Sequence, residues 1–137
     1  MKYNEIVEKN LLFIDKEVSL LESWKITSFA MLQQNTMLQK ATERVLQVAI
    51  EAVIDTCERI LALEKQPPAD TSADMVKKVQ ELGVISGSPD YTEMVKFRNF
   101  IVHRHEEIDL EIVYAIVKKM LPLFREFIHD IRNTRNA

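Results

Sequence analysis

The segment Phe97–His105, which reads FRNFIVHRH, is the part of the chain whose residue types could do chemistry. It holds an arginine, an asparagine and two histidines within nine residues. A guanidinium is a permanent cation that suits anionic ligands, and an imidazole exchanges a proton near neutral pH. The apolar residues between them indicate that the segment packs against the rest of the fold: Phe97, Phe100, Ile101 and Val102.

Arg98 occupies an unusual place on the helix that this segment predicts. On an ideal helix of about 100° per residue, Met94 and Ile101 lie roughly 40° to 60° to one side of it. Val95 and Val102 lie about as far to the other side, so the arginine falls in the middle of an apolar arc. Because a guanidinium is rarely buried without a partner, this arc is expected to face a cleft, a second subunit or an anionic ligand.

His103 lies about 140° from Arg98 on the same ideal helix. The two side chains can reach one target only if the helix unwinds near His103 or if a second copy of the segment completes the site. Asn99 is four residues before His103, so these two side chains share a stripe of the helix and can hydrogen-bond.

Neither a metal site nor a cofactor site is favoured by the sequence. His103 and His105 diverge by about 160° on a helix, so they would form a metal pair only in extended backbone. There is no CxxC or HExxH pattern, and two glycines are too few for a glycine-rich phosphate loop. The single cysteine, Cys57, is read as a core residue; since it cannot form an internal disulfide, a reducing cytoplasm is the simplest setting.

Composition predicts an all-α chain with one domain over residues 1–137. Glycine is scarce at 2 residues, proline amounts to 4, and 47% of the residues are hydrophobic, which is typical of helical proteins. The net charge of −3 argues against a generally basic nucleic-acid-binding surface, although a local basic patch stays open. No apolar run approaches the roughly 18 residues of a membrane span, and the first residues lack the apolar core of a signal peptide.

Hydrophobic spacing and cap signals predict an up-down bundle of about five helices. The second is apolar nearly all round between Val45 and Ile54, so it should be the central helix. Pro122 should kink the last helix near Lys118–Lys119. The first three predicted helices span residues 3–24, 28–64 and 72–82. The fourth starts at Ser88-Pro89 and runs into the candidate segment. The fifth starts at an Asp109 cap, and Ile112 is expected in its buried face.

The candidate segment and its surroundings resemble the HepT family of HEPN domains. The family pattern is an arginine, a polar residue, a short spacer, a histidine, any residue and a tyrosine. Here it reads Arg98, Asn99, three apolar residues, His103, Arg104 and His105. The resemblance extends to the apolar stretch ERVLQVAIEAVID, to LGVISGSPDYTEMVKFRN and to EEID after the motif, so it covers most of the chain.

This resemblance implies a metal-independent endoribonuclease toxin that works as a homodimer, in which two motif helices share one cleft, with a minimal nucleotidyltransferase as its antitoxin. His103 would act as general acid or base, Arg98 would stabilise charge on the phosphorane, and Asn99 would orient His103 or bind phosphate. Arg104 and His105 would support RNA binding. Attack by the 2′-hydroxyl would leave a 2′,3′-cyclic phosphate and a 5′-hydroxyl.

His105 stands where the family has a tyrosine that its nucleotidyltransferase can adenylylate. A histidine has no phenolic oxygen, so either the partner masks the site, or another hydroxyl is modified, or the chain has left toxin function; His105 could instead be a second acid or base. Tyr91 and Tyr114, the nearest tyrosines, are read as core residues. Two rival functions stay open: a non-catalytic helical subunit of a nucleotidyltransferase, and a phosphotransfer bundle with a phosphorylatable histidine.

Overall fold

The computed structural model describes residues 3–103 and 109–134, and within these ranges every regular element is an α-helix. The predicted all-α class and the long central helix are confirmed. No helix in the described ranges is long and apolar enough to cross a membrane. The helices are α1 (Glu5–Ser23), α2 (Phe29–Gln33), α3 (Thr36–Leu63), α4 (Ser72–Glu81), α5 (Asp90–His103) and α6 (Leu110–Thr134).

The predicted second helix is in fact two helices, because the chain breaks at Gln34 and Asn35. Asn35 has extended backbone, and its side chain accepts a hydrogen bond from the Leu38 N–H, so it caps the start of α3. The short helix α2 precedes this break and packs on α3 and α6. The prediction of one helix over residues 28–64 missed this asparagine as a start signal.

Most other helix ends lie where their caps predict them. Thr71 caps α4 by accepting from the Asp74 N–H, and Gly83 follows α4 with a φ of +77°, the left-handed conformation that favours glycine. Ser88 accepts from the Asp90 N–H at the start of α5, and Asp109 accepts from the Glu111 N–H at the start of α6. Pro122 lies inside α6, while the kink expected before it stays a prediction.

Helix α3 is the centre of the bundle, with all the other helices packed against it. It contributes an almost continuous buried surface, which explains why its sequence is apolar nearly all round. The prediction that Ile112 belongs to the core is wrong, since this side chain is 48% exposed at the start of α6. The buried apolar residues of α3 are Val45, Leu46, Ala49, Ile50, Ala52, Val53, Ile54, Cys57, Ile60 and Leu61.

Candidate functional site

Arg98 lies where three helices meet. Its side chain projects from α5 and is only 20% exposed. One terminal nitrogen, Nη2, donates a 3.1 Å hydrogen bond to Oγ of Ser72, the first residue of α4. The other, Nη1, lies 3.9 Å from the Glu51 carboxylate of α3, and Nε is buried without a hydrogen-bond partner among the described residues. The guanidinium is therefore held on two sides while part of its hydrogen-bonding capacity stays unused.

The apolar arc around Arg98 straddles the edge of the core. Met94 and Val95 are fully buried, Ile101 is half-buried, and Val102 is 46% exposed. From the sequence, the guanidinium is expected to face a cleft, a second subunit or an anionic ligand. The fold supplies part of that partner from within the chain, through side chains of α3 and α4 that the local sequence gave no reason to select.

An acidic row on α3 flanks the arginine. Glu51, Asp55 and Glu58 follow one another at spacings of four and three residues, so they share one face of the helix. Burial raises the pKa of the Asp55 carboxyl, and the charges of Glu58 and Glu51 raise it further, while Arg98 acts in the opposite direction. An anion that binds Arg98 must therefore compete with carboxylates that already face it.

His103 is the last residue of α5, and its side chain is exposed. Asn99, one turn earlier, is exposed as well, and within residues 3–103 and 109–134 no hydrogen bond joins the two. Arg98 instead turns towards α3 and α4. Thus the structure puts both candidate catalytic residues on one helix, but among the residues that it describes the two share no partner. Arg104 and His105, the two further candidates, lie outside the described residues.

Large apolar side chains are exposed on both sides of the segment that follows His103. Phe100 is 48% exposed and Val102 46% exposed on α5, and Ile112 is 48% exposed on α6. Phe100 and Val102 are two residues apart, which is about 200° on an ideal helix, so they lie on different sides of α5. A partner that covers the end of α5 is one way to bury such side chains.

The basic residues of α6 do not form an open phosphate-binding track. Lys119 donates a 2.7 Å hydrogen bond to Glu93 and lies 3.3 Å from Asp90, so it links α6 to α5. Those two carboxylates raise the pKa of the Lys119 ammonium. Lys118 lies over the Tyr114 ring at 5.3 Å from its centre. The charge of Lys119 is thus largely neutralised within the chain.

Other groups that could do chemistry have structural surroundings. Cys57 is fully buried, and burial raises the pKa of its thiol, so it is a core residue as predicted. Tyr91 is fully buried against the edge of Phe127, while the partly buried Tyr114 donates its hydroxyl to the Thr27 carbonyl. In the part of the chain that the structure describes, no group of three or more His, Cys, Asp or Glu side chains could hold a metal ion.

Comparisons with known proteins agree with this architecture. A family model described as ribonuclease HepT-like matches residues 14–131. The tri-AMPylated HEPN toxin of Shewanella oneidensis, solved in complex with an MNT antitoxin, is 25% identical with a TM-score of 0.85, over 96% of this chain and 99% of that one. A toxin–antitoxin crystal structure with AMP-PNP is also 25% identical with a TM-score of 0.85, over 95% of this chain and 99% of that one.

A third solved structure shares the fold alone. It is YutE, a cytosolic protein of unknown function from Bacillus subtilis, at 18% identity and a TM-score of 0.81, over 93% of this chain and 87% of that one. The comparison with curated proteins finds no match.

Proposed function

Since the chain belongs to the HepT-like ribonuclease family, we propose that it is the toxin of a toxin–antitoxin pair and a metal-independent endoribonuclease. The observation that carries the proposal is Arg98, a largely buried guanidinium with unused donors, on the same helix as an exposed histidine. A planar guanidinium suits a phosphodiester, and an exposed imidazole can exchange protons with a bound RNA.

The proposed reaction needs no metal and no protein nucleophile. The 2′-oxygen forms a bond to the adjacent phosphorus, the bond from phosphorus to the 5′-oxygen breaks, and a 2′,3′-cyclic phosphate results. His103 removes the proton of the 2′-hydroxyl or gives a proton to the leaving 5′-oxygen. Arg98 stabilises the charge that builds up on the phosphorane oxygens, and Asn99 orients His103 or binds a phosphate oxygen.

A homodimer would complete the site. Arg98 faces α3 and α4 while His103 is exposed at the end of α5, so one chain alone does not converge them on one phosphate. A second copy packed around the end of α5 would cover exposed apolar side chains there, such as Val102, and bring a second motif helix alongside. The shared groove would then hold the histidine of one copy near the arginine of the other.

The partner that this proposal implies is a minimal nucleotidyltransferase antitoxin. The Shewanella relative forms a complex with an MNT antitoxin and is itself AMPylated. In this chain His105 takes the place of the tyrosine that such an enzyme can modify, so neutralisation must use masking of the site or another hydroxyl.

A second candidate function has a specific observation in its favour. The charge of Arg98 is partly compensated by Glu51, and Lys119 is occupied by Asp90 and Glu93. Since these two cations are already paired with carboxylates, they are poorly placed to hold an RNA backbone, which favours a non-catalytic regulatory subunit of a nucleotidyltransferase. The two functions differ in one respect that can be measured, which is whether RNA is cut.

The proposed function is tested by incubating the purified protein with RNA in EDTA and analysing the ends of the products. We expect 2′,3′-cyclic phosphate ends from the wild type. His103→Ala should reduce the rate by roughly 10² to 10⁴-fold, the usual loss for a general acid or base. His129→Ala, which removes an exposed histidine on α6, is the matched control and should keep full activity. Uncut RNA with the wild type would favour the binding subunit instead.

A further inference from the structure

Helix α1 carries a line of apolar side chains on a side that does not face the core. Ile6, Phe13 and Leu20 follow one another at spacings of seven residues, and each is between 42% and 45% exposed. Residues seven apart differ by only about 20° on an ideal helix, so these three side chains form one stripe along α1. Apolar residues that are continuous rather than scattered mark contact sites for other proteins. The core-facing side of α1 is a different one and consists of Val7, Leu11, Ile14, Val18 and Leu21.

The two edges of this stripe differ in charge. Lys9 and Lys16 lie about 40° and 60° to one side of Phe13, and both are exposed. Glu17 and Asn10 lie about 40° and 60° to the other side. In the part of the chain that the structure describes, neither Lys16 nor Glu17 forms an ion pair. The stripe is therefore bordered by a cationic edge, Lys9 and Lys16, and by an acidic edge, Asn10 and Glu17.

The acidic edge continues into a groove between α1 and α3. Its volume is about 440 Å³, and it is lined by Ile6, Asn10, Asp55, Glu58, Arg59 and Ala62. Two carboxylates thus share the groove with one guanidinium. Burial raises the pKa of the Asp55 carboxyl, and the charges of Glu58 and Glu51 raise it further. A cation that entered the groove would relieve this repulsion, so an occupant of this side of the molecule needs an apolar line with cations along one edge.

We propose that this stripe is the contact surface for a second copy of the chain, with the two α1 helices parallel and related by a two-fold axis that runs along them. Helix α1 has both features that the occupant needs. In this arrangement each apolar residue of the stripe meets its own counterpart. The cationic edge of one copy lies against the acidic edge of the other, so that Lys16 meets Glu17 and Lys9 points towards the groove.

The charges favour the parallel arrangement over the antiparallel one. With a two-fold axis across the helices and centred on Phe13, each edge would meet the same edge of the other copy. Lys9 of one copy would then lie beside Lys16 of the other, and like charges repel at that distance. Only the parallel pair brings opposite charges together on both sides of the stripe.

This contact is separate from the one proposed at the end of α5. It needs neither Arg98 nor His103, so it does not depend on cleavage of RNA. A pair of 19-residue helices is about 28 Å long and makes a small interface, so the association should be weak and depend on concentration. A chain with two different two-fold contacts can close into a tetramer.

The contact is tested by cysteine cross-linking of the full chain, with copper–phenanthroline and air as the oxidant. Ile6→Cys and Leu20→Cys are each expected to form a disulfide with the same residue of a second copy, because parallel packing brings their Cα atoms within the reach of about 7 Å. Antiparallel packing would hold either residue roughly 20 Å from its counterpart. Leu12→Cys is the matched control, since Leu12 is 54% exposed but lies about 100° from Phe13, and it should not cross-link. Wild type should not cross-link either, because Cys57 is fully buried.

A charge reversal tests how the two helices are oriented. In the Leu20→Cys chain, the added change Lys16→Glu places it against Glu17 of the other copy and should slow cross-linking roughly fivefold. A further Glu17→Lys restores opposite charges and should restore the rate. Thermal unfolding of each variant checks that it folds.

Three results would overturn this inference. Faster cross-linking with Lys16→Glu would mean that the helices are antiparallel. Equal rates for Leu12→Cys and Leu20→Cys would mean that the copies only collide at random. Absence of the disulfide in both Ile6→Cys and Leu20→Cys would leave the stripe to a different partner. Because none of these measurements uses RNA, the inference and the proposed function can fail independently.

Discussion

The Glu51 carboxylate lies 3.9 Å from the Arg98 guanidinium, on the neighbouring helix α3. At that distance the pair attracts without an optimal hydrogen bond, and the Glu51 side chain is 37% exposed, so water weakens the attraction. A bound phosphate would displace it. Glu51 is therefore an internal competitor for the anion that this site is proposed to bind.

Removal of this competitor should strengthen RNA binding. Glu51→Gln is expected to lower the KM for RNA roughly two- to threefold, since an exposed ion pair is worth about 0.5 kcal/mol. Steady-state cleavage measures the change. Glu58→Gln removes the same charge from the same face of α3 farther from Arg98, and it should have a smaller effect. An equal drop in KM for both variants would mean that only net charge matters, and a rise in KM with Glu51→Gln would refute the competition.

Arg125 of α6 binds three side chains of α1 and should stabilise the contact between these two helices. Its guanidinium bonds Asp15, lies 2.9 Å from Ser19 and lies 2.6 Å from Glu22. Arg125→Gln is expected to lower the free energy of unfolding by about 1 kcal/mol, as for a network of exposed charges. Urea unfolding at neutral pH measures the loss. Lys9→Gln, on an exposed position of α1, is the control and should change stability little.

The same contact should depend on pH. The hydrogen bond from Arg125 holds the pKa of Asp15 below its usual value. A carboxyl whose pKa is depressed in the folded state contributes stability above its unfolded pKa, and this contribution is lost as the pH falls through the folded pKa. The difference between wild type and Arg125→Gln should therefore shrink in acid. A difference that stays constant down to the acid end of the titration would contradict the ion-pair account.

Asp55 should oppose folding at neutral pH. Burial, then Glu58 and Glu51, raise the pKa of its carboxyl above the usual value, so the charged form is disfavoured in the folded state. Because Asp55 is mostly exposed and water screens its charge, Asp55→Asn is expected to stabilise the chain only slightly at pH 7, and the gain should vanish once the pH is low enough to protonate Asp55 in both states. Urea unfolding at both pH values measures this, with Asp70→Asn in the exposed connector as control. A loss of stability at pH 7 would contradict it.

Much of the fold follows from local signals, and the site does not. Thr71, Ser88 and Asp109 mark helix starts because a cap uses only its own and the next residues. The partners of Arg98, by contrast, come from α3 and α4, and no sequence spacing links Glu51 or Ser72 to the motif. Tertiary packing alone brings them together.

Tyr91 should be a structural residue with no chemical role. Its hydroxyl is buried and has no hydrogen-bond partner among the described residues, and burial raises its pKa. Tyr91→Phe removes this unpaired group. It should leave the free energy of unfolding unchanged or raise it by up to about 1 kcal/mol, and thermal unfolding measures the change. Tyr114→Phe is the comparison, because it removes the bond to the Thr27 carbonyl and should destabilise. A marked loss of stability or of RNA cleavage with Tyr91→Phe would contradict this assignment.

We propose that two copies of the chain share one cleft with two equivalent sites, each formed by Arg98 of one copy and His103 of the other. Subunits carrying Arg98→Ala and subunits carrying His103→Ala should each be inactive on RNA. When the two are unfolded together and refolded as a mixture, half of the dimers are mixed and each mixed dimer keeps one intact site, so roughly a quarter of wild-type cleavage should return. A mixture that forms mixed dimers but stays as inactive as either variant alone would contradict the shared site.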